Sequence, residues 1–412
     1  MRLYLLALNP TDSVTEGFLP AAATLGLDVT VLTHDTPAHR AAYAERPDLP
    51  AELEVLECDV RDFHEVVGLI SRHHTPIAVF SNSDHLQTQA ALAAEYFGLP
   101  GKDWRATLRA KNKAELRRHL AAAGLDTVWA AELPAGQDPA ELSGIPFPVV
   151  LKPREGVASE DVVLVADEAE LAARCREIRH RRPGATLLVE EFLEGRLHTL
   201  ETLGDGRTRH VLGGFRTQLS PPPDFVEVAL EYVPDHPQPV LEQLLGQLDA
   251  LGVALGACHT EFVLQPDGRA RIIEVNYRAI GDQCDLLLAQ VLELPYFELV
   301  LATHLGRPLP ADLGARRDLR ARHRAVCADR AGRLTAAPDP YDDGPYGRGR
   351  HDGGADGVRL RYRPLRALGE RHEHYRTNRD YLGLVWAVGP GQEAVDRAVA
   401  GFLAANRWEI TP

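Results

Sequence analysis

Lysine is nearly missing from this chain of 412 residues. Only Lys102, Lys111, Lys113 and Lys152 occur, which leaves 41 of the 45 basic residues as arginine. A lysine kept where arginine has taken over elsewhere points to a place that needs a compact ammonium, a point charge able to approach phosphate oxygens. Cysteine is sparse too: Cys58, Cys175, Cys258, Cys284 and Cys327 show no CxxC pairing, which excludes a disulfide framework or a structural zinc site. No apolar run approaches the ~20 residues of a membrane helix. The run Leu3–Leu8 stops at Asn9-Pro10, too short for a secretory leader, so it reads as a first β-strand of a cytoplasmic protein. There is no GxSxG elbow, no Walker P-loop and no HExxH, which removes the common hydrolase and NTPase chemistries. A net charge of −14 disfavours nucleic acid and anionic membranes as partners.

What is present suggests two or three domains. Over residues 1–105, short Val/Ile/Leu-rich runs at Arg2–Leu8, Asp28–Thr33, Glu54–Cys58 and Ile77–Ser81 alternate with amphipathic stretches. That predicts a small parallel sheet with helices on both faces. Asn9-Pro10-Thr11-Asp12 follows the first strand in place of a glycine-rich fingerprint, so this is no dinucleotide site. Ser81-Asn82-Ser83-Asp84 ends the fourth strand where open α/β sheets place ligands, although Ser83 or Asp84 could equally cap the next helix. Residues 106–305 read as mixed strands and helices, with a helix over 109–123 ending at Gly124. Residues 306–412 read as a small α+β cap holding a flexible glycine-rich loop over 339–357. The fold class expected is therefore α/β and α+β.

The most informative stretch is Cys258-His259-Thr260-Glu261-Phe262-Val263-Leu264, followed by Arg271-Ile272-Ile273-Glu274-Val275-Asn276-Tyr277-Arg278. Asp267-Gly268 between these apolar runs marks a tight hairpin turn. A turn centred there sets Glu261 across from Glu274 and His259 across from Asn276. Side-chain alternation then puts Glu261, Glu274 and Asn276 on one face, and Phe262, Ile273 and Val275 on the other. Two carboxylates with Cβ atoms roughly 5 Å apart repel each other. A divalent cation between them removes that cost, and Mg²⁺ is content with few protein ligands beside water and phosphate. Lys152 follows the β-branched strand Val149-Val150-Leu151 and precedes a loop containing Gly156 and Ser159, a pattern that can hold phosphates.

The set Glu261, Glu274, Asn276 and Arg278, at this spacing on a hairpin, resembles the metal and phosphate end of the ATP-grasp enzymes. "HTEF…IIEVNYR" is most similar to their carboxylate–amine ligase branch, which includes the amino-acid ligases. The resemblance implies an ATP-grasp domain over 106–305, with a Rossmann-like domain before it. It implies that ATP is held by Lys113 (with Lys111 as the rival), by Lys152 and by the loop at Ser159. The hinge strand would be Glu190-Glu191-Phe192-Leu193, with backbone groups pairing the adenine. Many family members carry a ribose-binding Glu seven residues after the first hinge Glu. Leu197 stands there, which leaves His198 or Glu201 for the ribose. The phosphate loop departs as well, carrying Arg154, Glu155, Glu160 and Asp161 and a single glycine. Its acidic residues would repel the triphosphate if they faced it and are expected to face solvent.

The activity implied is ATP-dependent amide formation between a small-molecule carboxylate and an amine, through an acylphosphate, with release of ADP and phosphate. Amino-acid-like substrates lead, in the biosynthesis of a peptide, siderophore or other specialised metabolite. Glu261, Glu274 and Asn276 would bind Mg²⁺, with Mn²⁺ as the substitute metal. Lys152 and Arg278 would join them in catalysis, and Arg216, Glu227 and Arg278 would border the substrates. A homodimer is compatible with this reading. Two other readings stay open, a carboxylase-type relative that activates bicarbonate and a non-catalytic ATP-binding protein.

Overall fold

The computed structural model describes residues 2–156, 158–343 and 357–412. Most of the loop expected over 339–357 therefore lies outside the described residues.

The N-terminal part runs β1 (Arg2–Leu6), α1 (Leu19–Thr24), β2 (Asp28–Thr33), α2 (Thr36–Tyr43), β3 (Leu53–Glu57), α3 (Phe63–Arg72), β4 (Pro76–Phe80) and α4 (Gln87–Tyr96). The strands form a parallel sheet in the order β3-β2-β1-β4. Both faces are covered. Leu3 and Leu5 pack with Phe18 and Leu19, while Tyr4 and Leu6 pack with Val66, Ile70 and Ala93. Burial on both sides is why these strands read as continuous apolar runs.

The helix expected over 109–123 is two helices, α5 (Trp104–Lys111) and α6 (Lys113–Ala122). Asn112 breaks it: its extended backbone leaves the helix, and its Oδ1 accepts from the backbone N–H groups of Ala114 (3.1 Å) and Glu115 (3.2 Å). This is N-capping inside what looked like one periodic segment. Gly124, in the left-handed region at φ 70°, ends α6 as expected.

A second sheet, in the order β5-β8-β6-β7, is built from β5 (Ala130–Leu133), β6 (Val149–Pro153), β7 (Val163–Val165) and β8 (Leu187–Glu191). Helix α7 (Glu168–Arg181) covers it through Leu171, Cys175 and Ile178.

The largest sheet is antiparallel and begins with β9 (Arg196–Asp205), β10 (Arg209–Val211), β11 (Gly214–Leu219) and β12 (Glu227–Val233). After α8 (Gln238–Leu251) come β13 (Leu255–Leu264) and β14 (Ala270–Asn276), which occupy the sheet edge beside β9. Helices α9 (Cys284–Leu292) and α10 (Tyr296–His304) follow, and then β15 (Arg320–Cys327). The remaining strands are β16 (Gly332–Ala336), β17 (Tyr341–Asp342), β18 (Arg359–Pro364), β19 (Arg371–His372), β20 (Tyr381–Gly389) and, after α11 (Gln392–Ala405), β21 (Glu409–Thr411).

Of the segment 306–412, expected to form a cap of its own, β15, β17, β18 and β20 extend this same sheet. Strands β16, β19 and β21 form a separate three-stranded sheet in the order β19-β16-β21. β15 pairs with β12 on one side and β20 on the other, and β18 adds to β20. Every residue of β20 is buried, as a central strand covered on both faces requires. One core joins the N-terminal sheet to the large one. Phe18 meets Phe297 of α10 edge-on at 5.0 Å, and Trp386 of β20 lies in the same cluster. Among the described residues no single helix is long and apolar enough to cross a membrane. Helices α9 and α10, bent by 105° at their junction, are core helices with Leu287, Leu288, Val300 and Leu301 buried.

Candidate active site

The β13–β14 hairpin has the expected register where it matters: Glu261 pairs with Glu274 and His259 with Asn276. It gets there by a different route. Gln265 N–H donates to Arg269 O, so three residues, Pro266 to Gly268, form the turn. A β-bulge next to Glu261 then absorbs the odd residue, since Phe262 pairs with Ile272. The bulge moves Ile273, expected on the core face, onto the cleft side, and Ile272 takes its place in the core beside Phe262 and Val275.

The cleft, about 470 Å³ in volume, lies where the second sheet faces the large one. It gathers Lys113, Lys152, Ser159, Glu190, Glu191, Phe192, Leu193, Glu227, Glu261, Glu274, Asn276 and Arg278, each singled out from the sequence. Three others are corrected. His198 points to the opposite face of β9, where it stacks on Phe262 at 5.7 Å. Burial there pushes its pKa down to about 4. Arg216 is exposed and pairs with Glu231 at 2.6 Å, away from the cleft. Glu201 has the right parity but lies too deep: its carboxylate accepts from Thr199 Oγ1 (2.7 Å) and contacts His259 Nδ1 (2.7 Å). Leu197 does line the cleft, so an apolar group stands where the ribose-binding carboxylate was looked for.

The charges interlock. Lys113 Nζ donates to Glu274 Oε1 (2.7 Å) and to Gly156 O (3.2 Å). Lys152 pairs with Glu190, and Arg117 Nε donates to the other oxygen of that carboxylate at 2.8 Å. Burial opposes the charge on Glu190, but Arg117 and Lys152 outweigh it and hold the carboxyl down at about 2. Arg117 went unnoticed in the sequence, although it follows Lys113 by one helical turn. Asn276 Nδ2 donates to Glu261 Oε1 at 3.2 Å, and His259 Nε2 lies 3.4 Å from the same oxygen. Burial disfavours a charged imidazole at His259, but Glu201 and Glu261 outweigh it and raise the pKa to about 10. Arg278 Nη2 donates to Asp84 Oδ2 at 2.7 Å, rather than to Glu274. Burial, together with Glu261 and Asp282, pushes the Glu227 carboxyl up to about 8.

In the loop after β6, Glu160 and Asp161 are absent from the cleft lining, but they do not face solvent as expected. They pair with Arg181, Arg182 and Arg379. Among the described residues no three His, Cys, Asp or Glu side chains converge as a ready-made metal cage. The donor set Glu261, Glu274 and Asn276 is therefore a partial shell of hard oxygen atoms, which suits an ion that keeps water and phosphate ligands.

The family model for an ATP-grasp domain matches residues 145–286, a span that takes in β6, β8 and the whole β13–β14 hairpin. An uncharacterized protein of Sinorhizobium fredii is 27% identical over 430 aligned positions, covering 100% of this chain and 84% of that one. A D-alanine–D-alanine ligase of Anaeromyxobacter sp. is 28% identical over 200 positions, covering 44% of this chain and 62% of that enzyme. The crystal structure of an L-amino acid ligase from Bacillus licheniformis superposes with a TM-score of 0.77 at 21% identity, over 100% of this chain and 99% of that one. Domain match and fold agree with the cleft just described: residues 145–286 match the ATP-grasp domain, and the chain as a whole shares the fold of the L-amino acid ligase.

Proposed function

We propose that this protein is an ATP-dependent carboxylate–amine ligase acting on amino-acid-like substrates in the cytoplasm, and that it releases ADP and phosphate. One observation carries the reading. A single cleft holds two facing carboxylates and an amide on a rigid hairpin, together with Lys113, Lys152 and Arg278. That is a set for neutralising and orienting phosphates rather than for nucleophilic attack by the protein. Five free cysteines, four of them buried, fit a reducing compartment.

In this reading Lys152 and Lys113 hold the phosphates, and the carboxylates that now neutralise them, Glu190 and Glu274, keep both ammonium groups in place. The hinge from Glu190 to Leu193 receives the adenine through its backbone. Glu261, Glu274 and Asn276 would hold Mg²⁺ or Mn²⁺, which when bound offsets the charge of the transferring phosphoryl group. Arg278, fixed by Asp84, orients the substrate carboxylate. That carboxylate takes the γ-phosphoryl group and becomes an acylphosphate, and ADP leaves. The amine, docked as an ammonium, loses one proton to water and then attacks the carbonyl carbon. The C–O bond to phosphate breaks, and phosphate departs as hydrogen phosphate, carrying the second N–H proton, as the amide forms. Glu227, whose buried carboxyl resists ionisation among acidic neighbours, is stabilised by an approaching ammonium and so serves as the amine's docking group.

The test is release of ADP and phosphate from MgATP against pooled L-amino acids and simple carboxylates, with mass spectrometry of the products. Release that needs both a carboxylate and an amine, with a condensed product, supports the ligase. Bicarbonate-dependent release without an amine would mean carboxylase chemistry. AMP in place of ADP would mean adenylation and would overturn the acylphosphate route.

A further inference from the structure

The cleft carries more negative charge than the proposed reaction uses. Its lysines and its arginine are matched one to one: Lys113 with Glu274, Lys152 with Glu190 and Arg278 with Asp84. Glu261 is met by Asn276 and His259. Glu227 and Asp282 also line the cleft, and neither carboxylate has a side-chain partner among the described residues. Glu227 is the docking group for the amine in the reading above, which leaves Asp282 without a task.

Asp282 stands at φ 52° and Gln283 at φ 61°, both in the left-handed region, with Gly281 immediately before them. Such a backbone costs a non-glycine residue about 1–2 kcal/mol, so the turn is held from outside. His323 Nε2 donates to Asp282 O at 3.0 Å, and Gln283 Nε2 donates to Asp12 Oδ2 at 2.8 Å. Trp386 Nε1 donates to Gln283 Oε1 at 3.4 Å. The result is an exposed carboxylate on the cleft wall. Desolvation by the surrounding walls pushes it above the ordinary carboxylate range, and Arg278 and His259 offset that only in part. Asp282 is in turn one of the acidic neighbours that raise Glu227. The two like charges bear on each other across the pocket, a cost that a cation removes.

A second observation points the same way. His323 also lines the cleft, is 1% exposed, and its Nδ1 has no hydrogen-bond partner. A carbonyl oxygen can only accept, so Nε2 carries the proton toward Asp282 O and Nδ1 is the acceptor nitrogen of a neutral ring. Burial keeps the ring neutral by lowering its pKa to about 4. The carboxylate of Asp282 and the free lone pair of His323 both call for a donor. Resting on the ligase reading above, we propose that the amine substrate is an amino acid with a cationic side chain, its α-amine docked at Glu227 and its side-chain cation held by Asp282 beside His323. Phe225, Leu230 and Ile280, which line the same cleft, would cover the apolar stem between the two charges.

The experiment is calorimetric binding, with MgADP present, of L-amino acid pairs matched in shape: ornithine with norvaline, lysine with norleucine and arginine with citrulline. Wild type is compared with Asp282→Asn, since asparagine tolerates the left-handed backbone. In at least one pair the cationic member is expected to bind wild type roughly tenfold tighter or more, the size of one charge-assisted hydrogen bond. Asp282→Asn should erase that advantage and leave the neutral member within about twofold of wild type. If that variant fails to fold, Asp282→Gly, which suits φ 52°, carries the same comparison. Neutral members that bind as tightly in every pair, a variant that weakens both members alike, or no binding at all overturns the proposal. ADP release separates the two readings. Release with neutral amines only keeps the ligase and removes the cation site. Tight, Asp282-dependent binding of a cationic amino acid without any ADP-forming turnover keeps the cation site and removes the ligase.

Discussion

Arg278 Nη2 donates to Asp84 Oδ2 at 2.7 Å across 194 positions of sequence. The contact ties the end of the β13–β14 hairpin to the carboxyl edge of the N-terminal sheet. Arg278 Nη1 donates to the neighbouring Ala279 O at 2.8 Å, and Asn82 Oδ1 accepts from Ala279 N–H at 3.0 Å. The guanidinium is thus aimed by a loop of another sheet. Asp84→Asn is expected to leave the protein folded and to lower kcat/KM by roughly tenfold to hundredfold, as misaimed positioning groups do. Unchanged kinetics would remove Arg278 from the proposed carboxylate-binding role.

Glu274→Gln is expected to abolish ADP formation, with a loss of ~100-fold or more. Its carboxylate is partly open to the cleft, so the thermal midpoint should move by only a few degrees. ADP assays beside a melting curve decide it. An active Glu274→Gln enzyme would sink the metal assignment.

Chelation gives an independent check on the same donor set. EDTA should stop turnover, Mg²⁺ should restore it and Mn²⁺ should substitute, since all three donors are oxygen atoms. Turnover that survives exhaustive chelation contradicts the assignment.

Glu190 predicts a pH signature. Its folded pKa, about 2, lies below its ordinary value of 4.5. A depressed carboxyl contributes stability that is fully present above 4.5 and is lost as pH falls toward 2. Glu190→Gln leaves Lys152 and Arg117 buried without a counter-charge, costing about 3–5 kcal/mol near neutral pH. Urea unfolding should show the gap between variant and wild type narrowing as pH falls from 4.5 to 2. A gap that stays constant with pH would mean that shape, not charge, links these residues.

Leu197 predicts weak reading of the ribose. Wild type should use ATP and 2′-deoxy-ATP with KM values within about threefold, and Leu197→Glu should gain roughly tenfold in preference for ATP. Strong discrimination by the wild type would show that another group holds the ribose hydroxyls.

Much of the site was legible because it is local. Glu261, Glu274 and Asn276 sit on one hairpin whose turn residues announce themselves, and strand alternation fixes which of them share a face. The exact turn was not legible: a three-residue turn and a bulge each shifted the pairing by one, and the two shifts cancelled at the carboxylates. His198 could have been rejected by alternation, because Leu197 and Thr199 face the cleft. Glu201 could not, because parity says which side a residue takes, whereas depth within the cleft depends on which strands lie beside it. Arg216 pairs with His198 and shares its face, and that pairing between β9 and β11 is visible only in the structure.

The sequence by itself determined the elements, the hairpin chemistry and the scarcity of lysine that marked four positions for attention. Periodicity and turn preferences act over a few residues, and a single chain carries them in plain order. Only the tertiary structure decided which charges neutralise one another: Asp84 with Arg278, Glu190 with Lys152 and Arg117, and Glu201 with His259. It also decided that β15, β17, β18 and β20 extend the large sheet, and that the Lys111 ammonium has no hydrogen-bond partner. Ion pairing depends on distances of a few ångströms between segments far apart in sequence, and those distances exist only once the sheets have packed.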